Sequence, residues 1–264
     1  MTDTVVIKID HCLVKLEAVS SNPLLSAFVR AHESAVLHNY DDSDIDLVLI
    51  DSEKGFTLTW LQKDLKRNQK PLSFNIDVHK VIKQLRTFPA PKQGAFNQAL
   101  GKKTRSVIDA TGGWGGDALL MCMQGYSVTV VERNPIMALL LEDAMIRLSR
   151  TDWANDNPVV IPVVVNQNSV DYFNALESLD DDCVYLDPMF PPKKKKSAAV
   201  NKQMQLLQWL VGEDLDANEL LQSVINAGAK RAAVKRPDYA EPLCGKPSVQ
   251  FSSKLVHYDV YLNT

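Results

Sequence analysis

The chain has no apolar run of 18 or more residues, so a transmembrane helix is excluded. Its opening, MTDTVVIKIDHC, lacks a basic stretch followed by an apolar one, and no secretory signal is expected. Cysteine is scarce. Cys12, Cys122, Cys183 and Cys244 stand apart, with no CxxC pair and no histidine at metal-ligand spacing. Neither a metal site nor a disulfide framework is therefore expected, and the cytoplasm is the expected location. His11, His32, His38, His79 and His257 show no ligand spacing among themselves. An excess of positive charge is also missing: 29 Lys and Arg stand against 32 Asp and Glu, a net charge of −3. That balance excludes a nucleic-acid-binding surface spread over the whole protein, but not a local one.

What is present is enough for a real core. The 264 residues are 45% hydrophobic, which suits one large domain, or a domain of ~170 residues with a small partner. Charge is unevenly placed. Asp41, Asp42, Asp44, Asp46, Asp51 and Glu53 crowd one segment, Lys193, Lys194, Lys195 and Lys196 run without interruption, and Lys230, Arg231, Lys235 and Arg236 lie close together. Such asymmetry can steer a polyanion to one face.

Residues 1–85 read as a small mixed α+β domain. Val5–Ile9 is a strand, Asn22-Pro23 opens a helix to about His38, and Ile45–Ile50 with Phe56–Trp60 form a hairpin around Ser52-Glu53-Lys54-Gly55. Residues 86–104, with two prolines and two glycines, read as a connection that holds a short helix near Phe96–Leu100. From residue 105, strands and helices alternate. Strands are expected at Ser106–Ala110, Ser127–Glu132, Val159–Val165, Cys183–Asp187 and Arg231–Lys235, with helices between them, then a closing pair at Val249–Lys254 and Leu255–Leu262. This predicts an α/β fold over residues 86–264: a doubly wound, mostly parallel seven-stranded sheet with an antiparallel edge.

Four places carry chemistry. Asp109-Ala-Thr-Gly112-Gly113-Trp114-Gly115-Gly116-Asp117 follows the first strand of that sheet, where glycines let the backbone approach a ligand closely. Gly113, Gly115 and Ala118 also satisfy the dinucleotide pattern G-x-G-x-x-A, so a nicotinamide-dependent oxidoreductase stays open here. Asp109 and Asp117 at the mouth disfavour a pyrophosphate and suit a ligand with an ammonium and a sulfonium. Glu132 ends the next strand, placed to accept both ribose hydroxyls of a nucleoside. Asn168 and Ser169 follow the third strand and can meet an adenine edge or cap a helix, with Ser169 the expected cap. Last comes Asp187-Pro188-Met189-Phe190-Pro191-Pro192 at the end of the fourth strand. Asp187 and a prolyl carbonyl can accept both hydrogens of a nucleobase amine, and Phe190 can stack on the base.

Asp187-Pro-Met-Phe resembles the (Asp/Asn)-Pro-Pro-(Tyr/Phe) loop of amino-methyltransferases. Taken together, DATGGWGGDA, VVERNP, YLDPMFPPKKKKSA and VKRPDYAEPL resemble the ribosomal RNA small subunit methyltransferase J family over residues 86–264. The resemblance implies a class I, Rossmann-like domain using S-adenosyl-L-methionine (SAM) to methylate N2 of one guanosine in 16S rRNA, free or in the small subunit. It implies cofactor contacts at Gly116, Asp117, Glu132, Arg133, Asn168, Ser169 and Asp187; the residue chemistry adds Asp109 and Gly112 to the expected cofactor site and gives the expected catalytic group as Asp187, Pro188 and Phe190. Gly116 and Asn168 depart from the family pattern, which has a longer polar residue, usually Arg, at the first position and a smaller hydroxyl residue at the second. Lys193 to Lys196, Lys235 and Arg236 are the expected RNA contacts, each phosphate contact adding salt-dependent affinity. Other amino-methyltransferase substrates, and an RNA-binding protein without activity, are the remaining alternatives.

Overall fold

The computed structural model describes residues 3–63, 70–84, 87–190, 202–212 and 215–263. Strands β1 (Thr4–Ile9) and β2 (Cys12–Glu17) form a hairpin turned at Asp10, whose φ of 50° is left-handed. The β2 strand, missing from the sequence expectation, alternates cleanly: Cys12, Val14 and Leu16 face inward. Helix α1 (Pro23–Ala31) starts where the Asn22 side chain accepts from the Leu24 and Leu25 N–H groups. It stops seven residues short of the expected His38. His32 turns back to the Phe28 carbonyl through its backbone N–H, and Val36–Leu37 leaves to pair with β1 as β3. Strands β4 (Leu47–Ser52) and β5 (Gly55–Trp60) form the expected hairpin, followed by β6 (Leu72–Phe74) and helix α2 (Val78–Lys83). These six strands make one sheet in the order β3-β1-β2-β4-β5-β6.

Helix α3 (Gly94–Leu100) leads into the second sheet, built from β7 (Ser106–Asp109), β8 (Ser127–Glu132), β9 (Val163–Asn166), β10 (Cys183–Leu186), β11 (Arg231–Pro237), β12 (Val249–Ser252) and β13 (Val256–Leu262). Helices α4 (Gly116–Met123), α5 (Pro135–Ser149), α6 (Asp152–Asp156), α7 (Ser169–Ala175), α8 (Lys202–Val211) and α9 (Ala217–Asn226) connect them. Strand order is β12-β13-β11-β10-β7-β8-β9, with β7 to β11 parallel, β13 antiparallel to β11 and β12 antiparallel to β13. This is the expected doubly wound α/β sheet. All four residues of β10 are buried, as a strand covered on both faces requires. The β9 strand begins at Val163 rather than Val159, since Pro162 has no N–H for the ladder.

The two sheets share one apolar core. Leu47, Leu49, Phe56 and Leu58 belong to the same cluster as Leu119, Leu140, Leu141 and Met145. A polar clamp joins them. Asp143 on α5 accepts from the Phe56 N–H at 2.9 Å and from Arg147 at 2.8 Å, and Arg147 reaches the Ile76 carbonyl at 2.9 Å. Trp209 on α8 lies 5.2 Å from Trp60, and Phe74 lies 5.9 Å from Trp114 in the glycine loop. The N-terminal sheet therefore backs the loop that follows β7. Among the described residues no helix is long and apolar enough to cross a membrane, and no three His, Cys, Asp or Glu gather as a metal site.

Candidate active site

From β7 the chain winds outward to β8 and β9, then returns to β10 on the other side of β7. A crevice opens where this reversal occurs, at the carboxyl ends of the strands. It holds a cavity of about 570 Å³, a size suited to a nucleoside-bearing ligand.

The glycine loop forms one wall. Gly112 donates to the Val131 carbonyl, and a Cβ on Gly112 would lie 2.7 Å from Val130 Cγ1. Gly115 precedes α4 at a φ of +69°, where a Cβ would meet Leu141 Cδ2 at 2.5 Å. Both positions need glycine for packing, and Gly115 needs it for conformation as well. Gly116 does not: it opens α4 with no atom within 4 Å of a would-be Cβ, so the space for the longer residue usual in the family is present.

Glu132 is 5% exposed, and its two carboxylate oxygens accept from the Gly113 and Asn134 N–H groups, each at 2.7 Å. These bonds fix the carboxylate at the strand end. Each oxygen carries a second lone pair, the acceptor capacity that a vicinal diol needs. Neighbouring Arg133 reaches Asp216 at 3.3 Å and the Val211 carbonyl at 3.4 Å, fastening the end of α8 to the cavity edge.

The cap falls to Asn168 and not to Ser169. Asn168 is the cap of α7, accepting from Val170 N–H at 2.8 Å and Asp171 N–H at 3.4 Å. Ser169 is already the first helical residue, and its hydroxyl donates to the Ala110 carbonyl at 2.7 Å, tying α7 to the end of β7.

Asp109 lies at the base of the cavity, not at its mouth, with 2% exposure. Burial first, then the Asp117 carboxylate, push its carboxyl up to about 8, against the bond it accepts from Thr111 N–H. Asp187 continues from β10. Its N–H donates to Thr111 Oγ1 at 2.7 Å, and its Oδ2 receives Lys235 Nζ at 2.7 Å. The same ammonium lies 2.9 Å from Asp117 Oδ2, which also accepts the Tyr185 hydroxyl at 2.7 Å. Burial alone would lower the Lys235 pKa; Asp187 and Asp117 reverse this and raise it. Pro188, Met189 and Phe190 line the cavity beside Asp187.

Of the basic residues, Lys235 and Arg236 sit differently from expectation. Lys193 to Lys196 lie outside the described residues. Lys235 points into the cavity as the partner of two carboxylates, not out to a rim. Arg236 is 6% exposed, and its guanidinium donates to the fully buried Asp259 and to the Ala240 carbonyl. Adjacent strand residues face opposite sides, so once Lys235 enters the cavity Arg236 is turned into the core. Thr111, Trp114, Tyr185 and Tyr239 also line the cavity. No spacing in the sequence singles these four out.

Together these residues fit a bound SAM. A glycine cradle, a strand-end carboxylate and acidic side chains form one connected cavity. The buried indole N–H of Trp114, on its wall, has no hydrogen-bond partner among the described residues. The SAM-dependent methyltransferase family SAM_MT matches residues 33–263, which takes in most of the N-terminal sheet as well as the sequence motifs. The ribosomal RNA small subunit methyltransferase J of Vibrio vulnificus is 36% identical over 226 residues, covering 81% of this chain and 87% of that one. The methyltransferase J of Haemophilus influenzae is 41% identical over 187 residues, covering 67% and 70%. The crystal structure of a SAM-dependent methyltransferase from Neisseria gonorrhoeae superposes with a TM-score of 0.68 over 94% of each chain, at 24% identity, and shows the same fold. These matches decide between the adenosine-ligand readings left open by the glycine pattern: the chain belongs to the ribosomal RNA small subunit methyltransferase J family of SAM-dependent methyltransferases.

Proposed function

We propose that this protein transfers a methyl group to the exocyclic N2 of a guanosine in 16S rRNA, in the cytoplasm, on free RNA or on the small subunit. The relatives' names supply the substrate class. The observation that carries the chemistry is the placement of Asp187, held by Thr111 at the cavity wall beside Pro188 and Phe190.

SAM, when bound, supplies a methyl group made electrophilic by its sulfonium. Asp109, Gly112, Asp117, Glu132, Arg133, Asn168 and Ser169 lie where they would hold it, around the glycine loop and the ends of β8 and β9. The guanine amine is a poor nucleophile because its lone pair is delocalised into the ring. Asp187 and the Pro188 carbonyl accept its two hydrogens, which favours a pyramidal nitrogen with its lone pair aimed at the methyl. Phe190 stacks on the flipped base, a contact of about 1–3 kcal/mol. The methyl would pass from the sulfonium to the amine nitrogen with the thioether as leaving group, and the extra amine proton would go to Asp187 or to water. Most of the acceleration comes from proximity and orientation. Lys193 to Lys196 follow the loop directly and would guide the phosphate backbone.

The test is methyl transfer from labelled SAM to 16S rRNA and to small subunits, with nucleosides identified after digestion. N2-methylguanosine supports the proposal. Incorporation into another nucleoside, or none into either substrate with SAM binding intact, overturns the assigned target.

A further inference from the structure

We infer that Lys235 is a positioning residue for methyl transfer: its ammonium fixes the charge and orientation of Asp187 and links that residue to Asp117 at the start of α4. The inference rests on the function proposed above.

Register brings the groups together. Strand β10 pairs with β11 so that Leu186 faces Val234, and the next step of each strand places Asp187 beside Lys235. On the other side β11 pairs with β13, setting Lys235 against Tyr258. From there Nζ reaches Asp187 Oδ2 at 2.7 Å and Asp117 Oδ2 at 2.9 Å. All three side chains are partly withdrawn from water, with 25% of Lys235, 29% of Asp117 and 37% of Asp187 exposed. The second carboxylate is itself anchored, because the Tyr185 hydroxyl donates to the same Asp117 oxygen at 2.7 Å. Tyr185 is fully buried and braced edge-on by Phe96 at 5.5 Å.

Three consequences follow from that geometry. A carboxylate with one oxygen held by a fixed ammonium is restrained in rotation, so its plane is favoured before the amine arrives. An ammonium in contact also favours the ionised form of Asp187, which accepts hydrogens where the protonated acid would present a competing O–H. Finally, Asp117 lies on the cofactor side and Asp187 on the target side, so one cation spans the two halves of the reaction site. Without it the two carboxylates would repel each other across that span. A lysine serving only as a phosphate contact needs none of this shielding.

Lys235→Met keeps the aliphatic stem and removes the charge; Lys235→Arg keeps the charge. Wild type is assayed first on small subunits and 16S rRNA. If it methylates neither, the proposed function fails, and the variants are not what decides it. With wild type active, Lys235→Met is expected to lose about tenfold or more in kcat, with KM for RNA changed much less. The acidic limb of its kcat–pH profile should move to higher pH, and Lys235→Arg should restore the wild-type limb and part of the rate. The ammonium faces Asp187, Asp117 and, from β13, Tyr258, while Tyr185 and Asp109 stand against those two carboxylates; among them Asp187 is the one proposed to touch the amine, so the kcat limb is read on it. A raised KM with unchanged kcat and a weaker salt dependence would make Lys235 a phosphate contact and overturn the inference. A kcat loss that merely tracks the folded fraction, with the pH limb unmoved, would also overturn it. Should Lys235→Met not fold, Lys235→Gln is read by the same criteria.

Discussion

The backbone N–H of Asp187 donates to Thr111 Oγ1 at 2.7 Å, joining the loop after β10 to the loop after β7. Thr111 in turn donates its own N–H to the buried Asp109 at 3.1 Å. The target acceptor and the glycine loop are thus joined through the short Thr111 side chain. Thr111→Val keeps the shape and removes the acceptor. It is expected to cost about 1 kcal/mol in stability and about tenfold in kcat, since small misplacements near the reacting atoms are costly. Asp187→Ala should reduce turnover by at least about a hundredfold with the melting temperature little changed. Labelled methyl incorporation and a thermal melt check both; near-normal turnover in Asp187→Ala would remove that residue from the mechanism.

Gly115 combines a φ of +69° with a would-be Cβ contact of 2.5 Å to Leu141. Gly115→Ala is expected to destabilise the fold by about 1–3 kcal/mol and to weaken SAM binding, because the loop must shift to relieve both strains. Gly116→Ala, with open space around it, is expected to leave stability close to wild type. Urea midpoints and calorimetric SAM titration distinguish the pair.

Arg236 and Asp259 form a buried ion pair that also receives Gln250 at 2.7 Å and holds the Ala240 carbonyl. Removing one partner strands the other charge in the core. Arg236→Ala should therefore cost ~3–5 kcal/mol in urea denaturation. Any RNA affinity of the folded fraction should keep its salt dependence; a flatter slope would return Arg236 to the RNA surface.

The four lysines Lys193 to Lys196 give the opposite pattern. Their replacement by alanine is expected to leave stability near wild type. It should also lower the slope of log affinity against log salt by about one for each lysine that meets a phosphate. An unchanged slope would make the run a solvated loop.

Asp109 sets a pH dependence whose sign can be worked out. Its folded-state carboxyl lies at about 8, above the ordinary value of 3.8. Between these limits the folded protein holds a proton that the unfolded chain has released, so this group's contribution to stability falls as pH rises from about 4 to about 8 and is flat above. Asp109→Asn should remove that part of the slope. Urea midpoints across the window check it, and an identical slope in the variant would count against a protonated Asp109.

Though it did not show the short helix α6, the sequence by itself determined the succession of strands in the second sheet, the glycine loop, the acidic strand end at Glu132 and the Asp187 loop. Each is written locally, in a period of apolar residues, a turn that only glycine allows, or a short run whose chemistry does not depend on its neighbours. It missed β2 although Cys12, Val14 and Leu16 alternate plainly, and it ran α1 too far because the pull of β1 on Val36–Leu37 is a long-range pairing. Tertiary structure alone decided which neighbours share a charge. Lys235 and Arg236 are adjacent and equally basic in sequence, yet strand alternation sends one to Asp117 and Asp187 and the other to Asp259. Asn168 and Ser169 divided their roles for a similar reason: the cap is set by where the first helical turn begins, and the Ser169 hydroxyl is left to reach Ala110, just past the end of β7. The Thr111–Asp187 bond spans 76 residues of chain, and only the parallel pairing of β7 with β10 brings its ends within 2.7 Å.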